Sequence, residues 1–293
     1  MRSEGFKNAV VLGATGFIGR GVAKTLSMKG FGVNRVGSKD INLAESKETE
    51  SKLPEMLEES ALIVVAAKTV DKGDSFEAMS ENIKMYTNIA SVINRRRVRH
   101  LVYFSTVDVY GKKDLALPLS EASRIQPHSY YAISKVFGEF VFGKACFDEG
   151  IPLTVLRLPR IYGPDDRRSA IDIFMRSAIK KESITVNGDG AQKRDFVYME
   201  DISTAVNLIL LNKTEGTYNM VTGRSYAINQ IMEFIGDITG NKPVVIYEKG
   251  RGDIDLVFER PKILERLDGF SFVDLRSGLK MIHDLYESRP DGV

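Results

Sequence analysis

Short apolar runs alternate with longer amphipathic stretches through the first half of the chain. Runs rich in Val, Ile and Leu at residues 9–12, 33–36, 62–66, 101–104 and 153–156 predict strands buried on both faces. Between them, residues 17–28, 47–58, 76–94 and 130–147 carry apolar positions at helical spacing. This βαβα rhythm predicts an α/β protein with a doubly wound parallel sheet flanked by helices. The alternation stops after Pro159. Beyond it, turn signals at 188–190 and 251–253 and helical stretches near 173–180 and 228–238 predict a smaller, mixed α/β region. No flexible linker or internal repeat separates the two regions, so they are expected to pack together with a ligand cleft between them.

The 41 basic and 39 acidic residues leave a formal charge of +2, and 43% hydrophobic with 27% charged residues is an ordinary globular balance. So small a net charge argues against nucleic acid or an anionic membrane as partner. The one dense basic run, Arg95 to Arg97 with Arg99 and His100, falls at the expected end of a helix, where cations complement the helix dipole. It lacks the interleaved aromatics of a nucleic-acid patch. The single cysteine, Cys146, excludes an internal disulfide, and its neighbours Phe142 and Phe147 point to packing; no metal is expected. Residues 1–8 are polar, and no apolar run approaches the roughly 20 residues that span a bilayer, so the expected location is cytoplasmic.

Residues 9–12 run into Gly13-Ala14-Thr15-Gly16-Phe17-Ile18-Gly19 and an amphipathic helix. A strand, a glycine turn and a helix start place free backbone N–H groups and the positive helix end against a phosphate. Gly13 permits the tight turn, Gly16 lets a pyrophosphate approach, and Gly19 lets the helix lie against the sheet. These flanks predict a dinucleotide site lined by Gly13, Gly16, Phe17, Ile18 and Gly19, with Ala66, Ala67 and Lys68 after the third strand. A carboxylate about 20 residues on, at the end of the second strand, would hold the adenosine ribose hydroxyls. That place reads Val36-Gly37-Ser38-Lys39. A hydroxyl and an ammonium suit a 2′-phosphate, so Ser38 and Lys39 predict NADP over NAD, with Asp40 and Ile41 flanking the adenine.

Tyr131 and Lys135 stand four apart at the start of a predicted helix and share a face. A neighbouring ammonium favours the phenolate, so Tyr131 can exchange a proton with an alcohol oxygen while a nicotinamide exchanges hydride. Tyr130, five residues from Lys135, turns away from that face. The segment from Phe104 to Gly111 leaves the fourth strand at its carboxyl end, where open parallel sheets place ligands. A hydroxyl from Ser105 or Thr106 there can hold the reacting oxygen.

The glycine turn, residues 105–111 and residues 131–135, in this order, resemble the extended short-chain dehydrogenase/reductases, the nucleotide-sugar epimerase/dehydratase family; residues 156–164, 188–197 and 251–253 match it further. The resemblance implies a Rossmann-type cofactor domain, residues 1–163 and 194–219, and a smaller C-terminal substrate domain, residues 164–193 and 220–293. It implies a nucleotide-sugar substrate and a homodimer formed through the helices near Phe76 and Tyr131. It selects Thr106 as the catalytic hydroxyl beside Tyr131 and Lys135, and it places Arg194 and Arg251 near the nucleotide and diphosphate. Arg160 stands where many members carry an asparagine that helps hold the nucleotide sugar. Val107 and Asp108 replace the paired acids of the sugar 4,6-dehydratases, which disfavours dehydration. Asp108 is left as a substrate contact, an extra proton donor or a cap of the local turn. The short connection after the second strand, with residues 40–43, resembles the NADPH-using GDP-fucose synthases. The expected activity is therefore reduction of a 4-keto nucleotide sugar with NADPH; the alternatives are a C4 epimerase with resident NAD and a catalytically inactive cofactor-binding regulator.

Overall fold

The computed structural model describes residues 7–69, 73–93, 98–164, 166, 169–249 and 254–288. The chain runs through β1 (Asn8–Leu12), α1 (Phe17–Met28), β2 (Gly32–Val36), α2 (Ser46–Leu57), β3 (Ser60–Val64), α3 (Phe76–Ile93), β4 (Val98–Thr106), α4 (Tyr130–Glu149) and β5 (Leu153–Leu158). It continues through β6 (Arg160–Tyr162), α5 (Ala170–Lys180), β7 (Ile184–Asn187), β8 (Lys193–Tyr198), α6 (Met199–Asn212) and β9 (Gly216–Asn219), then β10 (Ser225–Ala227), α7 (Ile228–Thr239), β11 (Val245–Glu248) and α8 (Leu275–Glu287).

Six parallel strands form one sheet in the order β2-β1-β3-β4-β5-β9. From β1 the chain crosses to β2 on one side and then back over β1 to β3 on the other, which creates the switch point of a doubly wound, Rossmann-like sheet beside the glycine turn. Alternate strand residues face opposite ways. Ala9, Val11, Ile63, Val102 and Leu156 pack with α1 and α6, while Val10, Leu12, Leu62, Tyr103 and Val155 pack with α2, α3 and α4. A third cluster joins Tyr162, Phe196 and Tyr198 to α5, α7 and α8 around the small sheet β10-β8-β6. Ile263 and Leu267, near the C-terminal end, belong to the α1 and α6 cluster and clamp this region onto the large sheet.

The third strand ends at Val64, two residues before its expected limit. Val65 and Ala66 both turn their N–H groups onto the Leu12 carbonyl, at 3.0 and 2.9 Å, bending the chain toward the glycine turn. Arg95 to Arg97 lie outside the described residues, and Arg99 and His100 lie in β4 rather than at a helix end. Arg99 pairs with Glu59; His100 is buried against the Thr154 hydroxyl at 2.8 Å, and burial lowers its pKa to about 4. Cys146 packs in the core with Phe142, and burial pushes its thiol up to about 12, whereas Phe147 points into solvent. Among the described residues no helix is long and apolar enough to cross a membrane.

Candidate active site

At the end of β1, Gly13 adopts φ +89°, and a Cβ on it would lie 2.7 Å from the Ala66 nitrogen. A Cβ on Gly19 would lie 2.1 Å from the Gly13 carbonyl oxygen, so only glycine lets α1 start this close to the turn. Gly13 and Ala14 donate to the Val36 carbonyl at 2.9 and 3.2 Å, tying the turn to the end of β2. Gly16 caps α1 with no side-chain hydrogen bond, and the first turn holds no acid. The leading N–H groups and the positive helix end are thus left for an external anion, as a dinucleotide pyrophosphate requires. Phe17 and Ile18 half-pack against the core below, and Ala66, Ala67 and Lys68 border the turn as half-buried residues. Ser38, Lys39 and Asp40 are exposed at the β2 end, but Ile41 is only 1% exposed and serves the core. The Ile41 side chain is therefore removed from the adenine contact expected of it.

The α4 helix carries the candidate acid–base pair. The Ser129 hydroxyl accepts from the Ala132 N–H at 3.0 Å, and the Asp74 carboxylate accepts from the Tyr131 N–H at 3.0 Å, so two leading donors of the helix are satisfied. Lys135 is buried, and its Nζ donates to the Phe104 carbonyl at 2.7 Å, two residues before Thr106. The ammonium lies 5.1, 5.6 and 5.7 Å from the ring centres of Tyr103, Tyr86 and Tyr131. Burial lowers its pKa to about 7, opposed in part by the charge of Glu139 one turn along the helix.

The two candidate hydroxyls at the end of β4 have different tasks. Ser105 donates to Glu139 Oε1 at 2.5 Å, so its side chain is committed to a buried ion pair. Thr106 Oγ1 accepts from the Asp108 N–H at 3.1 Å and caps the 3-10 turn Val107–Tyr110. Thr106, not Asp108, is thus the cap of this turn, and the half-buried Asp108 carboxylate keeps its two other expected roles, substrate contact and extra proton donor. Arg160 on β6 is exposed; its register partner on β8 is Phe196, two residues beyond Arg194. Arg194 donates from Nη1 to the Ile254 and Lys193 carbonyls at 2.6 and 2.8 Å. Arg251 lies outside the described residues. Among the described residues no cluster of three or more His, Cys, Asp or Glu is placed to hold a metal.

Sequence reasoning missed Asn82. Fully buried, it accepts from the Lys68 N–H at 2.7 Å, donates to the Lys68 carbonyl at 3.0 Å, and donates to Ser134 Oγ at 3.0 Å; that hydroxyl donates to the Tyr131 carbonyl at 2.7 Å. The loop beside the glycine turn is thereby locked to the first turn of α4. The readable signal was a polar side chain on the apolar stripe of Met85, Tyr86, Ile89 and Ile93.

This cradle and acid–base pair can now be compared with known proteins. The family model described as NAD dependent epimerase/dehydratase family matches residues 9–221. The chain belongs to that family. A Methanocaldococcus jannaschii protein provisionally named UDP-glucose 4-epimerase is 31% identical over 207 residues, 69% of this chain and 67% of the relative. Across two further relatives the match spans 52% and 34% of their length. The crystal structure of a Thermotoga maritima UDP-glucose 4-epimerase with UDP-glucose superposes with a TM-score of 0.85 at 25% identity, covering 96% of this chain and 98% of that one. A Thermus thermophilus UDP-glucose 4-epimerase in complex with NAD superposes with a TM-score of 0.84 at 23% identity, covering 96% and 99%. The expectation of NADP drawn from Ser38 and Lys39 finds no support in these comparisons, which point to an NAD-dependent family.

Proposed function

We propose that the chain is a nucleotide-sugar 4-epimerase acting on a UDP-sugar with tightly held NAD. The observation that carries this is the fixing of Lys135 between the Tyr131 ring and the end of the strand that bears Thr106. Gly13, Gly16 and Gly19 with the open start of α1 would hold the pyrophosphate, and Tyr131 and Lys135 would face the nicotinamide end. NAD, when bound, supplies the acceptor for a hydride from the sugar carbon and the donor that returns it. Tyr131 takes the proton of the C4 hydroxyl and gives it back, Lys135 sets the charge beside that phenol, and Thr106 orients the sugar oxygen. Asp108, Arg160, Arg194 and Arg251 are assigned to the nucleotide sugar, the guanidinium groups toward phosphate. The cofactor part is assigned to residues 1–163 and 194–219 and the substrate part to residues 164–193 and 220–293, with β6 and β8 joining the small sheet and the third cluster, and Ile263 and Leu267 the cofactor core.

A second reading, reduction of a 4-keto sugar with NADPH, rests on Gly37, Ser38 and Lys39 at the β2 end. The test is to extract the dinucleotide that purifies with the protein and to follow UDP-glucose by NMR. The expected result is resident NAD and appearance of the C4 epimer with no net consumption of cofactor. Stoichiometric oxidation of NADPH by a 4-keto nucleotide sugar would establish the reductase instead.

We further propose a homodimer through α3 and α4. Tyr130, Ile133, Phe140 and Phe147 recur on one side of α4, between 40% and 84% exposed, and Phe76 of α3 stacks edge-on with Tyr130. An apolar stripe of this length on a solvent-facing helix marks an association surface. Sedimentation is expected to give a dimer at micromolar concentration and a monomer for Phe140→Glu; a monomeric parent protein would refute the assignment.

A further inference from the structure

The β2 end lacks the carboxylate that ordinarily receives the adenosine ribose, because Gly37 stands there. Gly37 is buried, and a Cβ on it would lie 2.5 Å from Thr15 Cγ2. A side chain at this position would have to displace the Thr15 methyl group. The chain instead turns over residues 37–40, with the Asp40 and Ile41 N–H groups on the Gly37 carbonyl at 3.1 and 3.3 Å. The Asp40 carboxylate folds back onto the strand end, where Oδ2 accepts the Gly37 N–H at 2.7 Å. That same oxygen lies 3.4 Å from the place a Gly37 Cβ would take. A carboxylate is therefore present at the end of β2, delivered from three residues downstream.

The turn is held on three sides. The Ile41 side chain anchors it in the core, Lys52 Nζ donates to the Asp40 carbonyl at 3.0 Å, and the N–H groups of Gly13 and Ala14 grip the Val36 carbonyl. The nearby cations are differently placed. Lys39 is exposed on the turn, and Arg20, also exposed, donates to the Thr15 carbonyl at 2.8 Å. Lys39, Arg20 and Asp40 are all exposed and screened alike; what distinguishes the Asp40 carboxylate is its place, held at the strand end by the Gly37 N–H, whereas Arg20 is held on the glycine turn.

We propose that Asp40 is the residue that selects NAD over NADP, its carboxylate accepting from the ribose hydroxyls and repelling a 2′-phosphate. The assignment rests on the dinucleotide site proposed above and deepens it. A fixed carboxylate with free lone pairs suits a vicinal diol, and a second anion placed beside it without a bound cation is disfavoured.

Protein freed of its resident dinucleotide is titrated with NADH and with NADPH by dinucleotide fluorescence, alongside Asp40→Asn and Asp40→Ala treated in the same way. The parent is expected to prefer NADH by roughly tenfold or more, about 1.4 kcal/mol per factor of ten. Asp40→Asn keeps an acceptor for the Gly37 N–H and thus the turn, and is expected to bring the two affinities within about threefold, chiefly through tighter NADPH. Unchanged melting of this variant separates loss of selection from loss of fold. Equal or tighter NADPH binding by the parent, or an unchanged ratio in Asp40→Asn, would overturn the assignment. Interconversion of UDP-sugars is assayed separately. An NADH-selective protein that leaves them untouched would sink the epimerase reading and spare Asp40, and a working epimerase that prefers NADPH would do the reverse.

Discussion

Tyr131→Phe is expected to lower kcat by about 10²–10⁴, the usual worth of a positioned acid–base group. The Kd for NADH is expected to move by less than about tenfold, since one lost neutral hydrogen bond is worth about 1 kcal/mol. The variant keeps the ring beside Lys135 and the Ser134 hydroxyl on the residue 131 carbonyl, so packing at the start of α4 is conserved. A pH profile sharpens the test. Burial brings the Lys135 ammonium down to about 7, so the charge that favours a phenolate beside it is present below that value and fades above it. Activity in the parent is therefore expected to fall as pH rises through about 7. Retained kcat in Tyr131→Phe would remove Tyr131 from the mechanism, and a flat profile between about pH 6 and 8 would remove the Lys135 charge from it.

The first half of the architecture was legible because both-face burial writes continuous apolar strands and α1 to α4 carry strong helical spacing. The helix α1 begins and ends where the pattern places it. The second half was less so. Strands β6, β7, β9 and β10 are three or four residues long, too short for alternation to show, and each is defined by its partner in space. Site chemistry followed the same division. Glycines and the Tyr131–Lys135 pair are local signals, read from spacing alone. The preference for Thr106 over Ser105 rests in part on Glu139, 34 residues from Ser105, which captures the serine hydroxyl. The Asp40 carboxylate was hidden for a related reason: its residue number places it beyond the strand, and only the fold of the turn returns it to the strand end.

Arg157→Met is expected to cost about 3–5 kcal/mol of stability, because it leaves the Glu139 charge buried and unpaired. The two side chains are 5% and 10% exposed, and they meet twice, Nη2 to Oε2 at 2.7 Å and Nε to Oε1 at 3.0 Å. Burial works to lower the arginine pKa, but the hydrogen bond and charge of Glu139 outweigh it and hold the guanidinium above its ordinary value. The pair lies within a wider network. Ser105 donates to Glu139, Arg157 Nη1 donates to the Tyr110 hydroxyl at 2.9 Å, and that hydroxyl donates to Asn219 Oδ1 at 2.7 Å. Glu139 is one helical turn beyond Lys135, Ser105 directly precedes Thr106, and Tyr110 closes the turn that Thr106 caps. The network therefore joins the helix that carries the proposed acid–base pair to the strand end that bears Thr106. Loss of the arginine should lower kcat more than it raises KM, since misplacement harms the reacting geometry before it harms nucleotide binding. Arg157→Met combined with Glu139→Leu removes both charges and is expected to recover most of the melting temperature while leaving kcat low. Recovery of stability and kcat together would reduce the network to a packing element, and an unaffected Arg157→Met would show that the buried pair holds neither fold nor site.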